Sequence, residues 1–135
     1  MADLVITTAD LELASSRSRP STVQAGEAIE AGDLVYRDTT TGKYMLASAS
    51  SEATAAIEGI AVSSASVDGY FSMLSSTSLI LGATVVAGTP YFLSTNGGKI
   101  APFADLSSGD YVSLLGFASS TTEIQLDILA TGISI

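Results

Sequence analysis

"AGDLVYRDTTTGKYMLA" (residues 31–47) decides how this chain folds: it reads as strand, turn and strand, and it returns as "AGTPYFLSTNGGKIAPF" (residues 87–103). In both stretches an Ala-Gly pair precedes a β-prone run, a threonine-bearing turn ends in Gly-Lys, and a second apolar run follows. β-Branched and aromatic residues suit a pleated, half-buried surface, and glycine supplies turn angles that other residues resist. The pattern is a β-hairpin written twice.

Outward from the hairpin, residues 22–44 lie over residues 78–100 without a gap, at a constant offset of 56. Gly26 meets Gly82, Ala31-Gly32 meet Ala87-Gly88, Thr39 meets Thr95, and Gly42-Lys43 meet Gly98-Lys99. Ile29 over Val85 and Tyr36 over Phe92 keep size and polarity, as facing a core requires. After a one-residue shift "EGIAVSS" (58–64) lies over "LGFASST" (115–121), and "YFSML" (70–74) then corresponds to "IQLDI" (124–128). The expected repeat units are residues 22–77 and 78–130.

The remaining strands follow the same grammar, short apolar runs bounded by Gly, Ser or Asp. In "EIQLDIL" (123–129), Ile124, Leu126 and Ile128 fall on one face and Glu123, Gln125 and Asp127 on the other, which predicts a strand with one buried side. In "DGYFSML" (68–74), Asp68-Gly69 is expected to supply the positive φ of a tight turn. Only "SSEATAAIEGIA" (50–61) offers a helical turn or two. The expected fold is therefore all-β: a compact β-barrel or β-sandwich-like domain over residues 22–135, built from two degenerate repeats of about 56 residues, with at most one short helix.

Residues 1–21 stand outside the repeat and end in "SSRSRPS" around Pro20, which predicts a flexible N-terminal arm. Its "DLVI" and "LEL" pieces can pair as short strands at a neighbour's exposed sheet edge. The candidate partner contacts are thus Leu4, Val5, Ile6, Leu11 and Leu13, with Arg17 and Arg19 as the only clustered positive charges. Removal of residues 1–19 is expected to leave the domain folded and to weaken partner binding.

Composition narrows the chemistry. The chain has 135 residues, 47% hydrophobic and 14% charged, which is enough apolar surface for one core and too little charge for a disordered chain. A net charge of −9 repels a phosphate backbone, so no nucleic-acid partner is expected. The longest apolar stretch, "LILGATVVA" (79–87), is broken by Gly82 and far short of the roughly 20 residues that span a bilayer. No membrane partner is expected, and the N-terminal residues lack the basic start of a secretory signal, which points to synthesis in a cytosolic compartment.

With no cysteine and no histidine, disulfides, thiol catalysis, thiolate metal sites and the commonest general base all drop out. A nucleophilic serine would need Lys43 or Lys99 as its base, and both fall in turns where water keeps the amine protonated. "TGK" and "GGK" lack the spacing of a phosphate loop, and Tyr44 or Ile100 follows where a hydroxyl belongs. "DTTTGK" (38–43) and "DLSSGD" (105–110) lack the charge count of a calcium loop. Trp is absent, and the five tyrosines sit mostly within strand patterns, as core or interface residues do. No enzyme activity, cofactor or metal is expected.

The run "GEAIEAGDLVYRDTTTGKYMLAS…IEGIAVSSA" and its echo "GATVVAGTPYFLSTNGGKIAPF…LLGFASS" resemble the small capsid decoration proteins of tailed bacteriophages, also called cement or head-stabilising proteins. The resemblance covers residues 22–128. It implies a structural virion protein, made in the host cytoplasm, that adds to the outer surface of an expanded capsid and stabilises it, commonly as a homotrimer at local three-fold positions. Its implied partners are the major capsid protein and other copies of itself, and the arm residues Leu4 to Arg19 named above become candidate capsid contacts. Three copies at −9 repel one another, so the seam between them should be apolar or neutral. A receptor- or glycan-binding β module of a tail, fibre or adhesin is the alternative reading.

Overall fold

The computed structural model describes residues 3–14 and 19–135. Eleven strands are present among them: β1 (Glu12–Leu13), β2 (Ser21–Gln24), β3 (Leu34–Arg37), β4 (Tyr44–Leu46), β5 (Ile57–Ala61), β6 (Tyr70–Leu74), β7 (Ser78–Ile80), β8 (Pro90–Leu93), β9 (Ile100–Pro102), β10 (Tyr111–Ala118) and β11 (Glu123–Ser134). They form two antiparallel sheets, one ordered β2-β6-β5-β3-β4 and the other β1-β7-β11-β10-β8-β9. The protein is an all-β domain in which two sheets pack together.

The second order is the first with each strand replaced by its counterpart, plus β1 at one edge. β3 and β8, and likewise β4 and β9, have the same bounds at the offset of 56. Backbone hydrogen bonds repeat where side chains do not. Gly32 N–H donates to Ala61 O (2.8 Å) and Gly88 N–H to Ala118 O (2.7 Å); Ala61 N–H donates to Asp33 O (2.8 Å) and Ala118 N–H to Thr89 O (3.0 Å). Asp33 and Thr89 share nothing but a main chain, so backbone geometry is what the repetition retains.

Two glycine pairs explain why the motif recurs. Gly42 and Gly98 each close a hairpin at φ +75°, a conformation that costs a residue with a Cβ about 1–2 kcal/mol. Gly59 and Gly116, which open "GIA" and "GFA", instead lie under a neighbouring strand. A Cβ on Gly59 would sit 2.7 Å from Leu74 O, and one on Gly116 would fall onto Gln125 O. Both glycines lie at or beside a β-bulge register shift, where the ladder kinks and backbones close in. In the Asp68-Gly69 turn the positive φ (+67°) belongs to Asp68, and a Cβ on Gly69 would press on Ser66 O at 3.1 Å. The glycine there is needed for space, and the short Asp side chain tolerates the left-handed angle.

Residues 50–61 do not make the helix that their composition allows. One helical-type bond forms, Ala55 N–H to Ser51 O at 3.0 Å, and the chain then enters β5, where Ile57 and Ile60 are buried. Sheet burial of two isoleucines outweighs alanine's helix preference. The helical content of the described residues is two single 3₁₀ turns, Thr8–Asp10 and Phe103–Asp105.

Ala25, Ile29, Val35, Ala61, Phe71 and Met73 form a small core of their own with the first sheet. That sheet closes on itself, because Ala25, just beyond β2, bridges Tyr44 of β4 and Gly26 N–H donates to Tyr44 O (2.8 Å). The larger core joins the opposite face of the first sheet, Leu34, Ile57, Ile60 and Leu74, to the interior of the second, where Leu81, Leu93, Leu115 and Ile124 are buried. β11 alternates as expected over its first half, with Ile124 and Leu126 buried and Gln125 and Asp127 exposed.

Residues 3–13, expected to stand free, run along the second sheet instead. Leu4 N–H donates to Ile100 O (2.9 Å), Thr7 N–H donates to Gly82 O (2.9 Å), and Glu12 and Leu13 pair with Ile80 and Leu79. Ile100 is the counterpart of Tyr44, so Leu4 occupies the acceptor that Gly26 uses in the first repeat. The seam that the first sheet closes with its own edges is filled in the second by the arm. The driving force is the arm's own "DLVI" pattern, which puts Leu4 and Ile6 against the core.

Candidate functional site

Polar side chains singled out from the sequence have structural partners. Asp38 Oδ1 accepts from Thr40 N–H (2.8 Å), and Asp110 Oδ2 accepts from Ser107 N–H (2.8 Å). These carboxylates cap their own turns, as Asp side chains commonly do. Lys43 Nζ sits 2.6 Å from Asp68 Oδ1 across the first repeat and pairs with it as an ion pair. No group of three or more acidic residues converges to hold a metal ion among the described residues.

The arm and its groove form the most elaborated surface. Gly82, at φ +77°, carries the arm directly over its α-carbon: an added Cβ would stand 2.5 Å from Thr7 O and 3.2 Å from Leu11 N. Its counterpart Gly26 keeps an ordinary φ and pairs with β4, so the left-handed bend at Gly82 is what turns the chain aside and leaves room for an extra strand. Ile6 reaches back to the first repeat and packs at 3.1 Å on the position a Gly32 Cβ would take. Asn96 Nδ2 donates to Asp3 Oδ2 at 2.7 Å and ties the arm's start to the β8–β9 turn.

The candidate contacts therefore separate into two sets. Leu4, Ile6 and Leu11 are partly buried against the domain's own core, whereas Val5 is 84% exposed and Leu13 42% exposed. Arg19 is exposed, and Arg17 lies outside the described residues. In this arrangement Val5 and Leu13 are the arm's outward apolar side chains, and the other three hold it in place.

A polar junction that sequence reasoning did not find joins the repeats beside the arm. Asp33, 7% exposed, accepts from Glu30 N–H at Oδ2 (2.9 Å) and lies 3.7 Å from Lys99 Nζ through Oδ1. Leu34 N–H donates to Gly98 O (2.9 Å), and Gly98 N–H to Ala47 O (2.7 Å), so the Ala-Gly turn of one repeat locks to the Gly-Lys turn of the other. Its signal was present as a mismatch, Ala-Gly-Asp in one copy against Ala-Gly-Thr in the other. Only the Asp faces the second repeat's lysine.

Burial pushes the Asp33 carboxyl above the ordinary carboxylate range, against the opposing pull of Glu30 N–H and Lys99. A raised folded-state pKa means that the folded chain binds the proton more tightly. The associated stability is fully present below the unfolded pKa and is lost as pH rises through the folded one. Asp33→Asn keeps an oxygen for Glu30 N–H and removes the buried charge. Thermal melts of both proteins between pH 4 and 7 are expected to diverge: the wild type gains stability on acidification relative to the variant. Parallel curves would show that Asp33 does not carry the pH response.

No protein-family model matches this chain, and no curated protein matches it.

Proposed function

We propose that this chain is a structural virion protein that binds the outer surface of an expanded phage capsid and stabilises it as a homotrimer at local three-fold positions. The observation that carries the reading is the duplicated scaffold itself. Both repeats spend their glycines, turns and polar side chains on backbone geometry, and the motif they share resembles that of capsid decoration proteins. A cement needs contact area and no turnover, since binding the assembled shell and not its loose components is enough to stabilise it. Small gains per contact multiply across many copies.

The arm supports the same reading through its two-sided arrangement. Val5 and Leu13 face outward from a segment held by Leu4, Ile6 and Leu11, so a capsid contact along this edge meets a strand already ordered by its own domain. The test is to mix purified protein with undecorated expanded heads. Saturable binding and a raised melting temperature of the heads are expected, with Val5→Asp weakening binding about tenfold, the loss of roughly 1.4 kcal/mol. Absence of binding, or binding without gain in heat or chelator resistance, overturns the proposal. Specific retention on a glycan array in its place would move the chain to a host-facing module.

A further inference from the structure

We propose that Asn96 is a self-modification site: it cyclises onto Gly97, loses its side-chain amide as ammonia, and thereby unhooks the N-terminal arm. Asn96 is the only asparagine in the chain, and a glycine follows it. An imide closes most readily on that pairing, because glycine carries no side chain to obstruct its own nitrogen. The first repeat has Thr40-Thr41 at the corresponding place, so this chemistry is confined to the hairpin that holds the arm. Asn96 and Gly97 are both exposed, in the turn between β8 and β9.

The turn leaves the attacking atom free. Attack needs the Gly97 nitrogen stripped of its proton, and among the described residues no group accepts a hydrogen bond from Gly97 N–H. In the comparable Asp68-Gly69 turn, Gly69 N–H donates to Ser66 O (2.9 Å) and Lys43 holds the Asp68 carboxylate at 2.6 Å. Water is the sole co-reactant. Gly97 N bonds to Asn96 Cγ as its proton passes to solvent, the Cγ–Nδ2 bond breaks, and Nδ2 takes up a proton and departs as ammonia. Water then opens the imide on either side of the nitrogen. Opening at Cγ leaves aspartate, and opening at the main-chain carbonyl leaves isoaspartate.

The atom that departs is the atom that ties down the arm. Asn96 Nδ2 donates to Asp3 Oδ2 at 2.7 Å, and both products put a carboxylate in its place, acceptor facing acceptor. Asp3 and Asp105 line the recess beside this turn and repel the new charge; Lys99 lines it too, but lies 3.7 Å from Asp33. The next tie along the arm is Leu4 N–H to Ile100 O (2.9 Å), one residue from the break. Isoaspartate also lengthens the main chain of the turn whose Gly98 N–H donates to Ala47 O (2.7 Å), so it reaches the lock between the repeats. The arm is held by a bond of finite lifetime, and its release runs one way.

This chemistry belongs to the chain alone and is independent of head binding. Full-length protein aged in neutral buffer should acquire more acidic charge variants, and peptide mapping should place aspartate and isoaspartate at residue 96. Gly97→Ala should slow the conversion about tenfold. Its Cβ would make ordinary contact with Leu46 at 3.5 Å, and Gly97 has no positive φ, so this variant keeps the fold. Asn96→Asp, made directly, should exchange the Leu4 amide hydrogen about tenfold faster than the wild type, while the Ile29 amide, bonded to Ala65 O in the first repeat, stays unchanged. Adding Asp3→Asn to Asn96→Asp reverses donor and acceptor and should restore slow exchange. An Asn96 that keeps its amide on ageing overturns the inference, as does equal Leu4 exchange in Asn96→Asp and the wild type. Faster exchange that Asp3→Asn fails to reverse would equally sink the latch.

Discussion

Gly116→Ala is expected to destabilise the protein by at least about 3 kcal/mol, enough to unfold a marginal domain outright. The added methyl would land on Gln125 O and lie 3.0 Å from both Gln125 C and Leu126 Cα, all of them main-chain atoms of β11. No side-chain rotation relieves a clash with backbone, so β10 and β11 must separate at the point where they bury Leu115, Ile124 and Leu126. Gly88→Ala is the natural control. Gly88 has φ +82° and, beyond its two chain neighbours, no atom within 4 Å of its hypothetical Cβ, so its cost is conformational only, about 1–2 kcal/mol. Urea denaturation of the two variants separates steric from conformational demand. Near-equal midpoints would show that the strands do not cross as closely at Gly116.

Ile60→Ala and Phe117→Ala should differ widely although the two residues hold corresponding positions in the repeat. Ile60 is fully buried between the sheets, and its truncation leaves a cavity worth about 2–5 kcal/mol. Phe117 stands 42% exposed on the opposite side of the molecule, and its truncation in dilute protein should cost less than about 1 kcal/mol. Equal losses would mean that the two faces have equal cover. The comparison measures how far the duplication has been turned to unequal use.

The strands and the repeat were legible because they depend on local signals. Gly42-Lys43 and Gly98-Lys99 mark turns by backbone chemistry, and Ile124, Leu126 and Ile128 mark a face by a period of two. The fate of the arm was not legible, because "DLVI" has the same pattern whether its groove belongs to this chain or to another. What settles it is the bend at Gly82, and nothing in Gly82's identity distinguishes a left-handed φ from the ordinary one at Gly26. The Asp33–Lys99 junction was hidden for a related reason. It joins residues from different repeats, and an alignment that lays one repeat over the other compares them without bringing them together.

The filled seam also orders events in time. The first repeat has all of its strands once residue 74 has been made, and its sheet can close with Ala25 on Tyr44 while the rest of the chain is still being synthesised. The arm, though made before either repeat, must wait: Asp3 and Asn96 are 93 positions apart, and Ile100 follows later still. Long loop closures of this kind come late, because their entropy must be spent before their contacts form. The arm, made ahead of both repeats, is thus among the last segments to find its place, and until then the second sheet keeps an open edge.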